Sequence, residues 1–261
     1  MNDTISYQLE DGIAAVTLNR PEKMNALNQE SFETLVAIGE AIKADNSVRV
    51  VILQGAGKAF SAGLDMEAMM AVGDVDLAER THGLNNLFQQ AAWVWHEVPV
   101  PVIAAVHGAC FGGGLQIMTG ADIRYVHPDT KLSIMEMKWG IVPDMAGTQL
   151  WSTYVREDII RELTYTARVF SGVEAGQYGF ATRVCDDPIA TAQATAEDIA
   201  NKNPDAVRAA KRLINNQRQP DQAAGLMAES VEQNALMKTP NQIEAVMANF
   251  EKRAPKFSDP E

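Results

Sequence analysis

The 261-residue sequence predicts an α/β protein, a mostly parallel sheet with covering helices, followed by a helical C-terminal region. Three observations carry this reading. Apolar runs at 48–53 and 100–106 lack polar alternation, as strands covered on both faces do. Each run stops near a glycine and gives way to helical spacing, the pattern of βα crossover units. Past about Pro188 only helical spacing remains.

Taken in order, residues 6–9 and 13–18 read as strands around an Asp11-Gly12 turn, a strong hairpin signal. Asn28 suits a helix N-cap with Glu30 in the first turn, and Phe32, Leu35, Val36 and Ile42 then share one face. The strand at 48–53 stops at Gln54-Gly55. Leu84, Leu87, Phe88, Ala91 and Trp95 predict a helix that breaks at Pro99. After the strand at 100–106, a helix starts within Gly112-Gly113-Gly114, and 123–126 returns as a strand. Pro204 suits a first helical position, with Val207, Ala210, Lys211 and Ile214 following at helical spacing. Further helices are expected over 223–237 and 241–253. The expected division is an α/β core over 1–200 and a helical region over 201–261.

Hydrophobic residues make up 46% and charged residues 21%, an ordinary globular composition that argues against disorder. The net charge of −12 argues against nucleic acid or an anionic membrane as partner. No apolar run reaches the roughly 18 residues of a membrane span. The first ten residues carry neither a basic n-region with an apolar h-region nor an Arg-rich stretch, so cytoplasm is the expected location. Cys110 and Cys185 match no metal spacing and read as two buried free thiols in a reducing compartment, with a disulfide as the alternative.

Two glycine turns are the informative stretches. Lys58-Ala59-Phe60-Ser61-Ala62-Gly63-Leu64-Asp65 follows one buried strand, with a helix expected to begin near Leu64. Gly108-Ala109-Cys110-Phe111-Gly112-Gly113-Gly114-Leu115-Gln116 follows the next. The first N–H groups of a helix have no internal partner and carry partial positive charge, and glycines let a ligand approach them. Two such groups converging on one carbonyl oxygen would make an oxyanion hole. Each turn alone also reads as a tight connection. Neither fits a dinucleotide or P-loop spacing.

Together with Leu18-Asn19-Arg20-Pro21, Asn25-Ala26-Leu27, Ala104-Ala105-Val106-His107-Gly108, Ala121-Asp122-Ile123-Arg124 and Gly147-Thr148-Gln149, these stretches resemble the enoyl-CoA hydratase/isomerase (crotonase) superfamily along nearly the whole chain. The resemblance implies a crotonase-like spiral of ββα units with a C-terminal helical trimerisation region, assembled as a homotrimer or dimer of trimers. It implies an acyl-CoA thioester whose carbonyl lies against the N–H groups of Leu64 and Gly113. Family contacts to coenzyme A map near Met24, Ala26 and Ala62, and Lys252 matches a lysine that reaches the phosphates from a neighbouring subunit, with Phe257 nearby. Lys23 and Lys58 are local counter-charges. Coenzyme A enters as part of the substrate, and no metal or redox cofactor is expected.

An enolate needs a base and often an acid. Hydratases of the family use two glutamates; here one position holds Gln116 and the other Glu136. A carboxamide can bind a water or orient Glu136 but cannot act as a carboxylate base. Asp144 reads as a second acid, matching the dienoyl-CoA isomerases in part, or as a cap of the helix after Pro143. Glu136 and Asp144 across one pocket would have pKa values pushed apart. Met135, Met137 and Trp139 read as pocket or core lining, as do Met66, Met69 and Met70. Asp122 reads as a buried structural carboxylate, and His107 as structural. The expected activity is isomerisation of a 3-enoyl- or 3,5-dienoyl-CoA with Glu136 as acid/base. Hydration of a 2-enoyl-CoA and a non-catalytic acyl-CoA binder are the alternatives.

Overall fold

A computed structural model of the chain describes residues 4–65, 67, 76–216, 235 and 238–259. Met66, Met69, Met70 and nearly all of the helix expected over 223–237 lie outside these residues. Among the described residues no helix is long and apolar enough to cross a membrane.

β1 (Ile5–Glu10) and β2 (Ile13–Leu18) form an antiparallel hairpin. Asp11 and Gly12 make its turn with positive φ at both, as a two-residue loop between twisted strands requires. β2 then pairs in parallel with β3 (Val50–Gly55), β3 with β4 (Val102–Val106), and β4 with β6 (Ile123–Val126). The short β9 (Arg183–Val184) closes the far edge of this six-stranded sheet. A second, three-stranded sheet is made by β5 (Ala109–Phe111), β7 (Lys131–Ser133) and β8 (Phe170–Ser171). The chain thus lays β4 in the large sheet and β5 in the small one, then β6 and β7 likewise.

Both faces of the large sheet are covered, and the apolar runs show why they lack alternation. Val51, Leu53, Val102, Ala104 and Val106 join the larger core with helices α1 (Gln29–Ala44) and α2 (Leu87–Glu97). Their neighbours Val50, Ile52, Ile103 and Ala105 point the other way, and α7 (Pro188–Ala200) covers them with Ala192, Ala196 and Ala200. Other helices among the described residues are α3 (Gly113–Thr119), α4 (Gly147–Trp151), α5 (Glu157–Thr166), α6 (Gly172–Tyr178), α8 (Pro204–Asn216) and α9 (Pro240–Glu251). Asn28 caps α1 by accepting from the Ser31 N–H at 2.9 Å. Cys110 and Cys185 are free; Cys110 is buried, which pushes its thiol well up, but Cys185 is only half-buried rather than buried as expected.

Three further expectations need correction. Leu84 is 90% exposed and precedes α2, whose cap Asn86 sets the start at Leu87. On α8 the buried residues are Pro204, Arg208, Ala209 and Lys211; of the expected face Lys211 is buried, and Val207, Ala210 and Ile214 are not. Hydrogen bonds set that face: Arg208 donates to the Val48 carbonyl at 3.0 Å. Lys211 Nζ donates to the carbonyls of Trp95 and Val100 at 3.2 and 2.9 Å and to Asp122 at 2.7 Å. Asp122, finally, is structural but not buried; its carboxylate also accepts the Val102 N–H at 2.8 Å, joining the start of β4 to α8. Lys211→Ala is expected to lower stability by roughly 2–4 kcal/mol, since two carbonyls lose their donor and Asp122 its counter-ion. Urea denaturation reads this, and an unchanged midpoint would contradict it.

Candidate active site

The site lies where the two glycine turns meet. Beyond β3 the chain folds back along the β4–β5 turn: the Phe60 N–H donates to His107 O, the Ser61 N–H to Ala109 O, and the Phe111 N–H to Ser61 O, at 2.9–3.0 Å. Asn25 braces the first turn by donating to the carbonyls of Ala56 and Ala59, at 2.9 and 2.7 Å. His107 is structural, its Nε2 lying 3.0 Å from the Gly57 carbonyl.

The helix expected near Leu64 is present just after it, with Glu67 helical, while Leu64 itself is extended. Leu64 bridges in parallel to Leu27: the Leu27 N–H donates to Gly63 O at 2.7 Å and the Asp65 N–H to Leu27 O at 2.8 Å. In an extended segment successive amides point to opposite sides, so the Leu64 N–H turns away from Leu27. Gly63 makes the preceding turn at φ +90°, and a Cβ there would sit 2.8 Å from the Phe111 carbonyl oxygen. The two turns therefore touch backbone to backbone. Gly113 opens α3, where an N–H has no intrahelical acceptor, and Gly112 before it takes φ 48°, ψ −118°. Neither the Leu64 nor the Gly113 amide donates to a protein acceptor among the described residues.

Both residues border a cavity of about 1100 Å³ that also takes in Ala26, Ala62, Glu136, Asp144 and Gln116. Glu136 opens a 3₁₀ turn (Glu136–Trp139) after β7 and is only 7% exposed. Its Oε1 accepts from Gln116 Nε2 at 2.7 Å, while its Oε2 is buried without a hydrogen-bond partner. Gln116, 1% exposed, accepts the N–H groups of Met145 and Gly147 at 2.9 and 3.0 Å, so its amide is directed at Glu136. Asp144 is no helix cap: α4 begins at Gly147 with Ala146 as its N-cap.

Burial raises the pKa of Glu136 above the ordinary 4.5, and the nearby Asp144 charge adds to the rise, while backbone donors and Gln116 oppose it. Burial also raises Asp144. A buried carboxyl with one free oxygen, beside two free amides, can take a proton from carbon while the amides hold the resulting oxyanion. Asp144→Asn removes the negative charge that favours protonated Glu136, so the acidic limb of kcat/KM should move to lower pH. A limb that stayed in place would show that the two carboxyls do not share a field.

The other expected residues divide. Lys23, Ala26 and Ala62 border the cavity, with Met135 and Trp139. Lys23 bridges Asp65 and Glu67, each at 3.3 Å. Met24, Lys58 and Met137 do not border it; Met24 lies 51% exposed at φ 50°. Lys252 and Phe257 lie away from the cavity of their own chain, where Arg49 holds the Phe257 carbonyl at 3.2 Å and Asp259 at 3.0 Å.

Sequence reasoning missed several participants. Phe32 and Phe88, read as helix-face core, meet edge to face at 5.0 Å and also wall the cavity. Arg20 ties Asp65 at 3.0 Å to the Ala26 carbonyl at 2.5 Å. Met145 supplies a backbone donor to Gln116 and an apolar wall against Gly113. Only Arg20 had a sequence signal, standing inside Leu18-Asn19-Arg20-Pro21 without an assigned role.

The profile of the enoyl-CoA hydratase/isomerase family matches residues 8–260. The mitochondrial Delta(3,5)-Delta(2,4)-dienoyl-CoA isomerase of Mus musculus is 34% identical, over 91% of this chain and 76% of that protein. The peroxisomal Delta(3,5)-Delta(2,4)-dienoyl-CoA isomerase of Arabidopsis thaliana is 30% identical, over 98% and 96%. A crystal structure of enoyl-CoA hydratase from Bacillus anthracis superposes with a TM-score of 0.87 at 31% identity, covering 97% of this chain and 98% of that one.

Proposed function

The chain belongs to the enoyl-CoA hydratase/isomerase family, and from that premise we propose that it isomerises a 3-enoyl- or 3,5-dienoyl-CoA thioester through a dienolate. The observation that supports this most is that Glu136, whose Oε2 has no hydrogen-bond partner among the described residues, lines the same cavity as Leu64 and Gly113 with their undonated amides. Glu136 takes the α proton, and the electron pair moves to the thioester oxygen held by the two amides. The dienolate is then protonated at the far end of the conjugated system, leaving the double bond shifted and no atom gained or lost. Glu136 returns the proton for a 3-enoyl substrate. For a 3,5-dienoyl substrate, whose receiving carbon lies further away, Asp144 is the donor. The substrate's own carbonyl is the electron sink, so the reaction needs coenzyme A only as part of the substrate.

Hydration of a 2-enoyl-CoA is the second reading, favoured by the presence of two carboxyls with raised pKa on one cavity. The proposed enzyme is cytoplasmic and works as a trimer or dimer of trimers. Lys252 and Phe257, which lie off their own cavity, reach a neighbour's thioester in that assembly. The face of α9 carrying Ile243, Val246, Met247 and Phe250, all exposed, is the surface it would cover.

The test is to incubate the purified protein separately with 3-enoyl-, 3,5-dienoyl- and 2-enoyl-CoA and identify products by mass and by NMR. A shifted double bond at unchanged mass supports isomerisation. Product heavier by one water from the 2-enoyl substrate alone would replace this reading with hydration. Thioester recovered unchanged in all three would leave a binder.

A further inference from the structure

In the first glycine turn nearly every amide is already committed. Phe60 and Ser61 donate to the carbonyls of His107 and Ala109, Ala62 to Met24 O at 2.8 Å, and Asp65 to Leu27 O at 2.8 Å. The Gly63 N–H donates to the Ser61 hydroxyl at 3.2 Å, and that buried hydroxyl donates in turn to Asn25 O at 2.9 Å. In this run Leu64 alone donates to no protein acceptor among the described residues. Its place therefore depends on what holds the extended segment 63–65 against Leu27. The two hydrogen bonds of a single bridge do part of this. One guanidinium does the rest.

Arg20 is fixed at its backbone and at its side-chain tip. Its N–H donates to Asn25 Oδ1 and its carbonyl accepts the Asn25 N–H, both at 2.8 Å. Its mostly buried side chain reaches the Ala26 carbonyl with Nη1 at 2.5 Å and Asp65 Oδ2 with Nη2 at 3.0 Å. Ala26 precedes Leu27 and Asp65 follows Leu64, so the fork spans the bridge and ties both of its chains. The other oxygen of the buried Asp65 accepts the Glu67 N–H at 3.1 Å. Lys23 also meets Asp65, at 3.3 Å, but from an exposed position where an ion pair holds little.

We propose that Arg20 is a positioning residue of this site, setting the Leu64 amide of the oxyanion hole by gripping Ala26 and Asp65 at once; this rests on the reading above. Arg20 does not border the cavity and touches no reacting atom. Without it the Asp65 carboxylate keeps only Lys23 as counter-ion and turns toward water, drawing the 64–65 segment away from Gly113. Misplacing a group by about 1 Å can cost about 10²-fold in rate. Arg20 also offsets the Asp65 charge, which would otherwise oppose the charge growing on the thioester oxygen.

Arg20→Gln and Arg20→Lys test this, each bound to a saturated acyl-CoA carrying carbon-13 at its carbonyl. On the wild type the carbonyl stretch should fall below its frequency in water, because two amides polarise the bond. Arg20→Gln should return the band most of the way to its free position. It should lower kcat by about tenfold or more, with affinity for the thioester changed far less. Arg20→Lys keeps the charge without the two-nitrogen fork, so it should return the band part of the way and lower kcat by about threefold or more. An arginine that only stabilised the fold would lower the melting temperature and leave the band of the folded protein unmoved. If either variant, folded by circular dichroism, keeps the wild-type band or the wild-type kcat, the inference is overturned and the isomerase reading stands. Should Arg20→Gln not fold, Arg20→Lys decides. A wild type that binds the thioester and leaves its band unshifted overturns the oxyanion hole, and both readings with it.

Discussion

Glu136→Gln is expected to lower kcat by about 10²–10⁴-fold, the range for a lost general acid/base, with thioester binding nearly unchanged. The substitution is close to isosteric. The new amide oxygen can still accept from Gln116 Nε2, so the clamp to Met145 and Gly147 survives. What disappears is the proton acceptor at Oε2, which is buried with no hydrogen-bond partner among the described residues. Stability should move the opposite way from activity. A carboxyl whose folded pKa is raised favours folding below its unfolded value and loses that contribution as pH rises through the folded value. Glu136 is such a group, because of its burial. At neutral pH the variant is therefore expected to melt no lower than wild type. Single-turnover kinetics and a melting curve measure both parts. Turnover within about threefold of wild type would move the base elsewhere, to Asp144 first.

Gly63→Ala is expected to cut kcat by about 10²–10³-fold, the effect of losing one oxyanion donor. Gly63 sits at φ +90°, where an L side chain is strained, and its new Cβ would stand 2.8 Å from the Phe111 carbonyl oxygen. That oxygen belongs to backbone and cannot swing aside. The turn must open, and the next amide, Leu64, moves relative to Gly113. A strained position of this kind also costs roughly 1–3 kcal/mol of stability, so activity is to be read at a temperature where circular dichroism shows a folded protein. A folded variant with wild-type kcat would remove Leu64 from the oxyanion hole.

Much of this was legible in the chain because local chemistry is legible. The Asp11-Gly12 hairpin, the Asn28 cap and the strands at 13–18 and 123–126 follow from turn, cap and periodicity rules, and the structure places them where those rules do. The α8 face shows where periodicity fails. Buried carbonyls at Val48, Trp95 and Val100 needed donors, and the long side chains of Arg208 and Lys211 turned inward to satisfy them. Leu64 shows a related effect: pairing with Leu27, distant in sequence, holds it extended, and the helix its neighbours suggested is seen at Glu67 instead.

By itself the sequence determined the α/β class, the two glycine turns, the resemblance to a family and Glu136 as the acid to watch. Those depend on residue type and short-range spacing. Only the tertiary structure decided how the turns meet, which Glu136 oxygen is free and which way the Gln116 amide points. The reason is that hydrogen-bond capacity is counted in space. Gln116 is committed by Met145, Gly147 and Glu136, which come from other elements and reach it only when the chain has folded.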